Sequence, residues 1–245
     1  SIKDAVIQFS DFSSGAIISP NGLLITSHNS GLDYVHAHST LKNDYLKNGF
    51  WAMSQEEELP NPGLSVTFLI RMENVTDKVL SKLRKNMSEK ARVAKIKEAC
   101  ENIESKIEKK THYSAEVKSF CYDNEFYLFV YETFNDVRLV GIPPLSIGSF
   151  GGDTDNWMWP RHTGDFSLFR IYTSPDGKPA EYSEYNIPLK SKHHLPISVD
   201  GFNEMDFAMT LGYPLETNRY LSSEGVEILI DETNPILKKI KDKKT

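Results

Sequence analysis

Cysteine is nearly absent: the 245 residues hold two, Cys100 and Cys121. Two thiols build neither a disulfide framework nor a Cys-rich zinc site. They suit either one bridge in an oxidising compartment or two small buried hydrophobes. Long apolar runs are missing as well. No stretch approaches the roughly 20 residues that a membrane-spanning helix needs, which excludes a helical transmembrane protein. An excess of positive charge is missing too, since 34 acidic side chains face 28 basic ones and leave a net charge of −6. A general nucleic-acid binder draws its affinity from Lys and Arg on phosphates, so that class is excluded. There is no internal repeat and no low-complexity tract. No signal peptide is legible and the sequence opens at Ser1, so the compartment is not read from it. What remains is 39% apolar, 25% charged and 11% aromatic residues, the composition of a folded, soluble, mildly acidic protein. The length suits one large all-β domain or two smaller ones.

The first third reads as short strands joined by turns. Residues 5–9 and 15–19 are strand candidates. The turn Pro20-Asn21-Gly22 leads to a return strand, Leu23-Leu24-Ile25-Thr26. Another strand, Leu64 to Ile70, follows the turn Pro60-Asn61-Pro62-Gly63. From Thr76, a plausible N-cap, to about Lys110 the apolar residues recur at helical spacing: Val79, Leu80, Leu83 and Met87, then Val93, Ile96, Cys100, Ile103 and Ile107. This stretch is locally basic, which suits a membrane surface or an acidic partner, or more plainly a solvated helix with one face packed on a β domain. Strands return at 126–131, 137–140, 166–172 and, less cleanly, 207–211. Many short strands with Gly/Pro turns and one helical excursion indicate a β-barrel or sandwich. The last stretch, from Ser223, turns helical and Lys-rich.

Candidate chemistry is concentrated in one place. His36-Ala37-His38, read as strand, puts two imidazoles on one face beside Asp33, but no further ligand cluster accompanies them, so no metal is expected. His193-His194 sits in a Lys-rich loop, Asp153-Thr154-Asp155 lacks the Gly and distal Glu of a calcium loop, and two glycosylation sequons, at Asn74 and Asn86, are of a kind common by chance. The segment from Gly151 to Asp165 differs. It gathers two Trp, three Asp, an Arg and a His just before a strand, a mixture that a structural turn does not need. The plainer alternative is an aromatic-anchored loop with internal salt bridges.

That segment closely resembles the signature of the S46 serine peptidases, a family of bacterial dipeptidyl-peptidases. The resemblance covers nearly the whole chain. It includes Asp4-Ala5-Val6-Ile7-Gln8-Phe9, Ser19-Pro20-Asn21-Gly22-Leu23, residues 44–53, Glu57-Glu58-Leu59-Pro60-Asn61-Pro62-Gly63-Leu64 and Tyr131-Glu132-Thr133-Phe134. It implies a mainly β fold, a chymotrypsin-like (trypsin-like serine peptidase) β-barrel with a helical insertion. Residues 1–222 would form the N-terminal part of the catalytic domain, with the helical excursion at about 76–110. Residues 223–245 would open the family's inserted helical domain. The family works by a Ser-His-Asp triad, in which Asp orients His and His takes the serine proton. Asp165 stands at the triad aspartate. Asn156 and Trp157 stand where the family grips the free N-terminal amine of a peptide, with Arg161 in support; an amide acceptor beside an aromatic face suits an ammonium group. No cofactor is implied, and the partners are peptides with a free N-terminus. A homodimer and export to the periplasm or cell surface are further expectations from the resemblance.

Three departures stand against this pattern. Where the family has Thr-Asn-His-His-Cys, with the second His as general base, this chain reads Thr26-Ser27-His28-Asn29-Ser30. Asn29 therefore holds the base position, and an amide does not accept the nucleophile's proton at neutral pH. His28 remains as a substitute base, although on a strand it would point to the opposite side. The family's Cys after the catalytic His bridges to an upstream Cys; here both positions are serine, Ser30 and Ser13. The family's nucleophile lies downstream of these residues, and Ser149, in Gly148-Ser149-Phe150-Gly151-Gly152, is only a superficial nucleophile turn. The expectation is a homologue that binds free peptide N-termini and has lost catalysis. The alternatives are an active dipeptidyl aminopeptidase at full length and a non-peptidase accessory or scaffold protein.

Overall fold

The computed structural model describes residues 1–10, 13–152, 154, 158, 160–213 and 221–243. The chain divides into two units, Ser1–Tyr213 and Pro214–Thr245.

The first unit is built on antiparallel strands: β1 (Val6–Phe9), β2 (Ser13–Ile17), β3 (Leu23–Thr26), β4 (Phe50–Trp51), β5 (Leu59–Pro60), β6 (Val66–Asn74), β7 (Ser114–Phe120), β8 (Glu125–Phe134), β9 (Val137–Ile142), β10 (Ser167–Thr173) and β11 (Ile187–Pro188). Gly22 closes the β2–β3 hairpin with φ at +68°, a conformation that costs glycine least. The sheet runs β4-β9-β10-β3-β2-β1-β6-β8-β7. Because β8 continues into β9 across Asn135 and Asp136, its first half pairs with β6 and its second with β10. The path thus returns on itself as a six-stranded barrel, β1-β2-β3-β10-(β9/β8)-β6, with no open edge around the ring. Its interior is filled by Ile7, Phe9, Ile17, Leu24, Leu64, Val66, Leu139, Phe169 and Ile171. Phe9 and Phe169 meet at 4.9 Å, and Tyr34 stands edge-on to both. Burying each such side chain contributes about 1.5–3 kcal/mol.

The helical excursion is two helices, α3 (Thr76–Leu80) and α4 (Glu89–Glu108), joined by a turn. They follow α1 (His28–His38) and α2 (Tyr45–Asn48) in the chain. Thr76 is not a cap: its hydroxyl accepts the Phe126 N–H at 2.9 Å and pins α3 to β8. Ser88 caps α4 instead, accepting from the Ala91 N–H. The apolar stripe of α4 packs with Val75 and Val79 on Phe126, Leu128 and Val130, a second core continuous along one face of β8. Strand β7, which the composition of 114–120 conceals, forms the edge of this extension. Its outward amides are blocked: Glu104 and Glu108 of α4 accept from the N–H groups of Val117 (2.7 Å) and Ala115 (3.4 Å).

Under the barrel lies a buried polar network. Glu58 is 6% exposed and accepts from Arg170 Nε and from the Tyr172 hydroxyl, each at 2.8 Å. Beside it Arg138 forks onto Asp136 at 3.0 and 2.8 Å and lies 3.7 Å from the centroid of the Tyr172 ring. Asn186 also donates to Asp136, which ties the loop before β11 to the barrel. Burial works against the Arg138 charge, but the hydrogen bonds and charge of Asp136 outweigh it and raise the guanidinium pKa. Burial, followed by the bond to Glu58, holds the Tyr172 phenol well above its ordinary range. Tyr131 is likewise pushed up to about 12, first by burial and then by Glu116. In both cases the folded state holds its proton at a pH where the unfolded chain releases it. The stabilisation is therefore complete below the unfolded phenol value, about 10, and is lost as pH rises toward 12. Alkaline titration should show a flat melting temperature up to about pH 10 and a fall above it; no fall by pH 12 would contradict the burial of these phenols.

Two further strand expectations fail. Residues 207–211 form no strand, and Phe207, Met209 and Leu211 are exposed by 89%, 58% and 52%. The alternation in this segment is real, but no described strand pairs with it. Residues 28–38 are helix, so His36 and His38 lie roughly 200° apart around α1 and share no face. The described residues of the second unit form one interrupted helix, Ser223–Ile228, a π-helical turn Leu229–Thr233, and Asn234–Asp242, capped by Ser222; none of the residues in these helical segments is buried.

Candidate active site

The first turn of α1 organises the candidate site. Ser27 caps the helix by accepting from the Ser30 N–H at 3.2 Å. The next free donor, the His28 N–H, is taken by Oδ1 of Asp165 at 2.8 Å. Asp165 comes from the segment entering β10 and is exposed. A carboxylate here is favoured by the orphan amides and positive dipole end of the helix. Two hydrogen bonds fix the approach of this segment: Gly164 N–H to the Ile147 carbonyl at 3.0 Å, and the Ser167 hydroxyl to the Ser27 carbonyl at 2.8 Å.

The side chain of His28 has no part at the surface. Its ring is 1% exposed, and Nε2 lies 2.9 Å from the Pro143 carbonyl, which makes it the proton-bearing nitrogen. Nδ1 is buried without a hydrogen-bond partner. The ring rests against Gly148 of α5 (Leu145–Gly148), where a Cβ would sit 2.1 Å from it. His28 thus joins α1 to the 143–148 segment, and a ring so held cannot reach a substrate. Asn29, one residue on, is exposed in the first turn of α1. The sequence expectation that His28 lies on a strand is corrected: it holds the first helical position of α1 and is buried, while Asn29 is exposed.

Ser13 and Ser30, at the positions where the resemblance implies a bridged cysteine pair, are brought together. The Ser30 hydroxyl donates to Ser13 Oγ at 2.9 Å, and Ser27 Oγ stands 2.8 Å from Ser30 Oγ. The chain keeps the juxtaposition without the covalent bond. A Ser13→Cys/Ser30→Cys variant should therefore oxidise without rearrangement. Closing a loop across 17 residues should add about 3 kcal/mol of stability. Two thiols still titratable after oxidation would show that the pair is not held in contact.

Asn156 and Trp157 lie outside the described residues. Arg161 is exposed, as is Ser149, which ends α5. The two natural cysteines are free, Cys100 partly buried and Cys121 exposed; burial, then Glu104, pushes the Cys100 thiol up. Among the described residues no group of three His, Cys, Asp or Glu is placed to hold a metal ion. Sequence reasoning missed the Glu58–Arg170–Tyr172 network, because Glu58 ends the run Glu56-Glu57-Glu58 and reads as one of three surface acids. It also missed helix α1, whose cap Ser27 and apolar pair Leu32 and Val35 were legible.

A closed six-stranded antiparallel barrel, with a carboxylate held against the amide of a helix that opens after β3, is a β-barrel of the chymotrypsin-like serine peptidase fold. The chain belongs to peptidase family S46, whose family model matches residues 1–245. It is 49% identical over 227 residues to a dipeptidyl-peptidase 7 of Capnocytophaga gingivalis, covering 93% of this chain and 32% of that protein. It is 47% identical over 235 residues to an Asp/Glu-specific dipeptidyl-peptidase of Flavobacterium psychrophilum, covering 96% and 33% respectively. Among solved structures, Porphyromonas endodontalis DPP11 superposes with a TM-score of 0.83 at 39% identity, covering 96% of this chain and 34% of that one. The same protein in complex with the dipeptide Arg-Glu gives a TM-score of 0.73 at 41% identity over 83% of this chain and 31% of that one. The chain therefore spans about a third of the length of the relatives it matches.

Proposed function

We propose that the chain is the N-terminal part of the catalytic domain of an S46 dipeptidyl-peptidase homologue that binds peptides by their free N-terminus and has lost catalysis. The observation that carries this is the first turn of α1: Asp165 is bonded to the His28 amide, yet the exposed side chain that follows is the amide of Asn29. A general base must accept a proton near neutral pH, and a carboxamide does not. His28 is no substitute, being buried and engaged with Pro143. Amine capture falls to Asn156 and Trp157, with Arg161 in support. The complex of DPP11 with Arg-Glu supports peptide binding in this architecture. The nucleophilic serine belongs to the downstream part of the polypeptide. The exposed alternating residues Phe207, Met209 and Leu211 fit the opening strand of the second barrel that would carry it, and 223–242 fits the start of the family's helical domain. Export to the periplasm or cell surface and a homodimer remain expectations of the same family reading.

The test is release of dipeptides from free-amine peptides by the full-length polypeptide, beside Asp165→Ala. Silence in both is expected. Release by the parent that Asp165→Ala abolishes would establish the active alternative. An accessory protein without a peptide site would bind free and N-acetylated peptides equally poorly, whereas amine capture requires the free terminus.

A further inference from the structure

Helix α4 segregates its charges. Glu104 and Glu108 are spent on the amides of β7, and Glu101 stands 3.8 Å from Lys97. The opposite flank is basic and faces α3 across an open groove of about 520 Å³, lined by Lys78, Lys82, Lys95 and Lys106 with Ser81 and Asn102. It adjoins a second groove of about 440 Å³ that shares Lys82 and Lys95 and adds Arg84 and Asn86. The carboxylate in the first groove, Glu98, is already paired with Lys95 at 2.7 Å. Lys78, Lys82, Arg84 and Lys106 face no carboxylate partner among the described residues. In a protein of net charge −6 this is a concentrated positive site, not the average surface.

The form of the site selects its ligand. The apolar stripe of α4 is buried on β8, so the helix has no hydrophobic face to lay into a bilayer, and its cations line a concavity rather than a plane. Asn102 donates its amide to the Glu98 carbonyl at 2.8 Å, which leaves Oδ1 as an acceptor in the groove. A phosphate chain offers nothing to an acceptor; a polypeptide offers backbone N–H groups as well as carboxylates. We propose that this groove between α3 and α4 docks an extended acidic polypeptide segment, with Lys78, Lys82, Arg84 and Lys106 on its carboxylates. The site is separate from the Asp165 region and does not depend on the reading given for it.

The probe is a fluorescein-labelled oligoglutamate peptide with an acetylated N-terminus, which removes any contribution from amine capture. Its anisotropy should rise saturably with the chain at low ionic strength. Lys82→Gln/Arg84→Gln/Lys106→Gln should weaken binding on the order of tenfold, as should physiological salt. Circular dichroism confirms that the variant is folded, and Lys238→Gln/Lys239→Gln in the C-terminal helix should leave the affinity unchanged. Absence of saturable binding, equal binding by the groove variant, or tighter binding of polyphosphate or phosphatidylglycerol vesicles would overturn the proposal.

Discussion

Asn29→His in the full-length polypeptide is expected to release dipeptides roughly 10²- to 10⁴-fold faster than the parent, the range that a positioned general base supplies. The scaffold for that imidazole is already in place. The Asp165 carboxylate is held at 2.8 Å by the neighbouring His28 amide, and position 29 is exposed on the same first turn. The gain should follow the deprotonation of an imidazole, rising with pH through about 6 to 7. It should vanish when Asp165→Ala is added, because Asp fixes the tautomer and orientation of the His. Adding Ser13→Cys/Ser30→Cys should sharpen the effect by fixing the turn. A variant as silent as its parent would mean that activity was not lost at position 29.

The largest stability effect is expected at Glu58. Its carboxylate is the shared acceptor for Arg170 and Tyr172 beneath the barrel, and the side chain is 2% exposed. Glu58→Ala leaves a guanidinium with 15% exposure and a buried phenol without their partner. Removing one member of such a pair costs about 3–5 kcal/mol. For a chain of this size that corresponds to a fall in melting temperature of roughly 6–20 °C. Glu58→Gln, which keeps an acceptor for the phenol, should fall between parent and Glu58→Ala. A loss below about 1 kcal/mol for Glu58→Ala would show that the network is dispensable.

The strands were legible where a turn signal introduces an apolar run, as in Leu23–Thr26, or where period-two alternation coincides with burial on one side, as in Ser167–Thr173. Strand β7 was not, because its outward face is polar and its amides are satisfied by glutamates of the helix that directly precedes it. Residues 207–211 carry the alternation yet stand exposed, since a strand needs a partner that periodicity does not supply. At the site, Asp165, Asn29 and the Ser13/Ser30 pair were found through the family resemblance, not through chemistry readable from spacing. The burial of His28 was not legible at all. It depends on Gly148 and Pro143, more than a hundred residues away, which make room for the ring and accept its Nε2–H hydrogen bond. Helix α1 shows the local limit: Ser27 is an ordinary cap, but the histidines at 36 and 38 share a face only while the segment is taken for strand.

The most direct measurement is mass spectrometry of a free-amine peptide incubated with the full-length polypeptide, with binding followed in parallel by calorimetry. The account predicts binding that N-acetylation abolishes and a peptide recovered intact. A peptide shortened by two residues, with the shortening lost in Asp165→Ala, would contradict it.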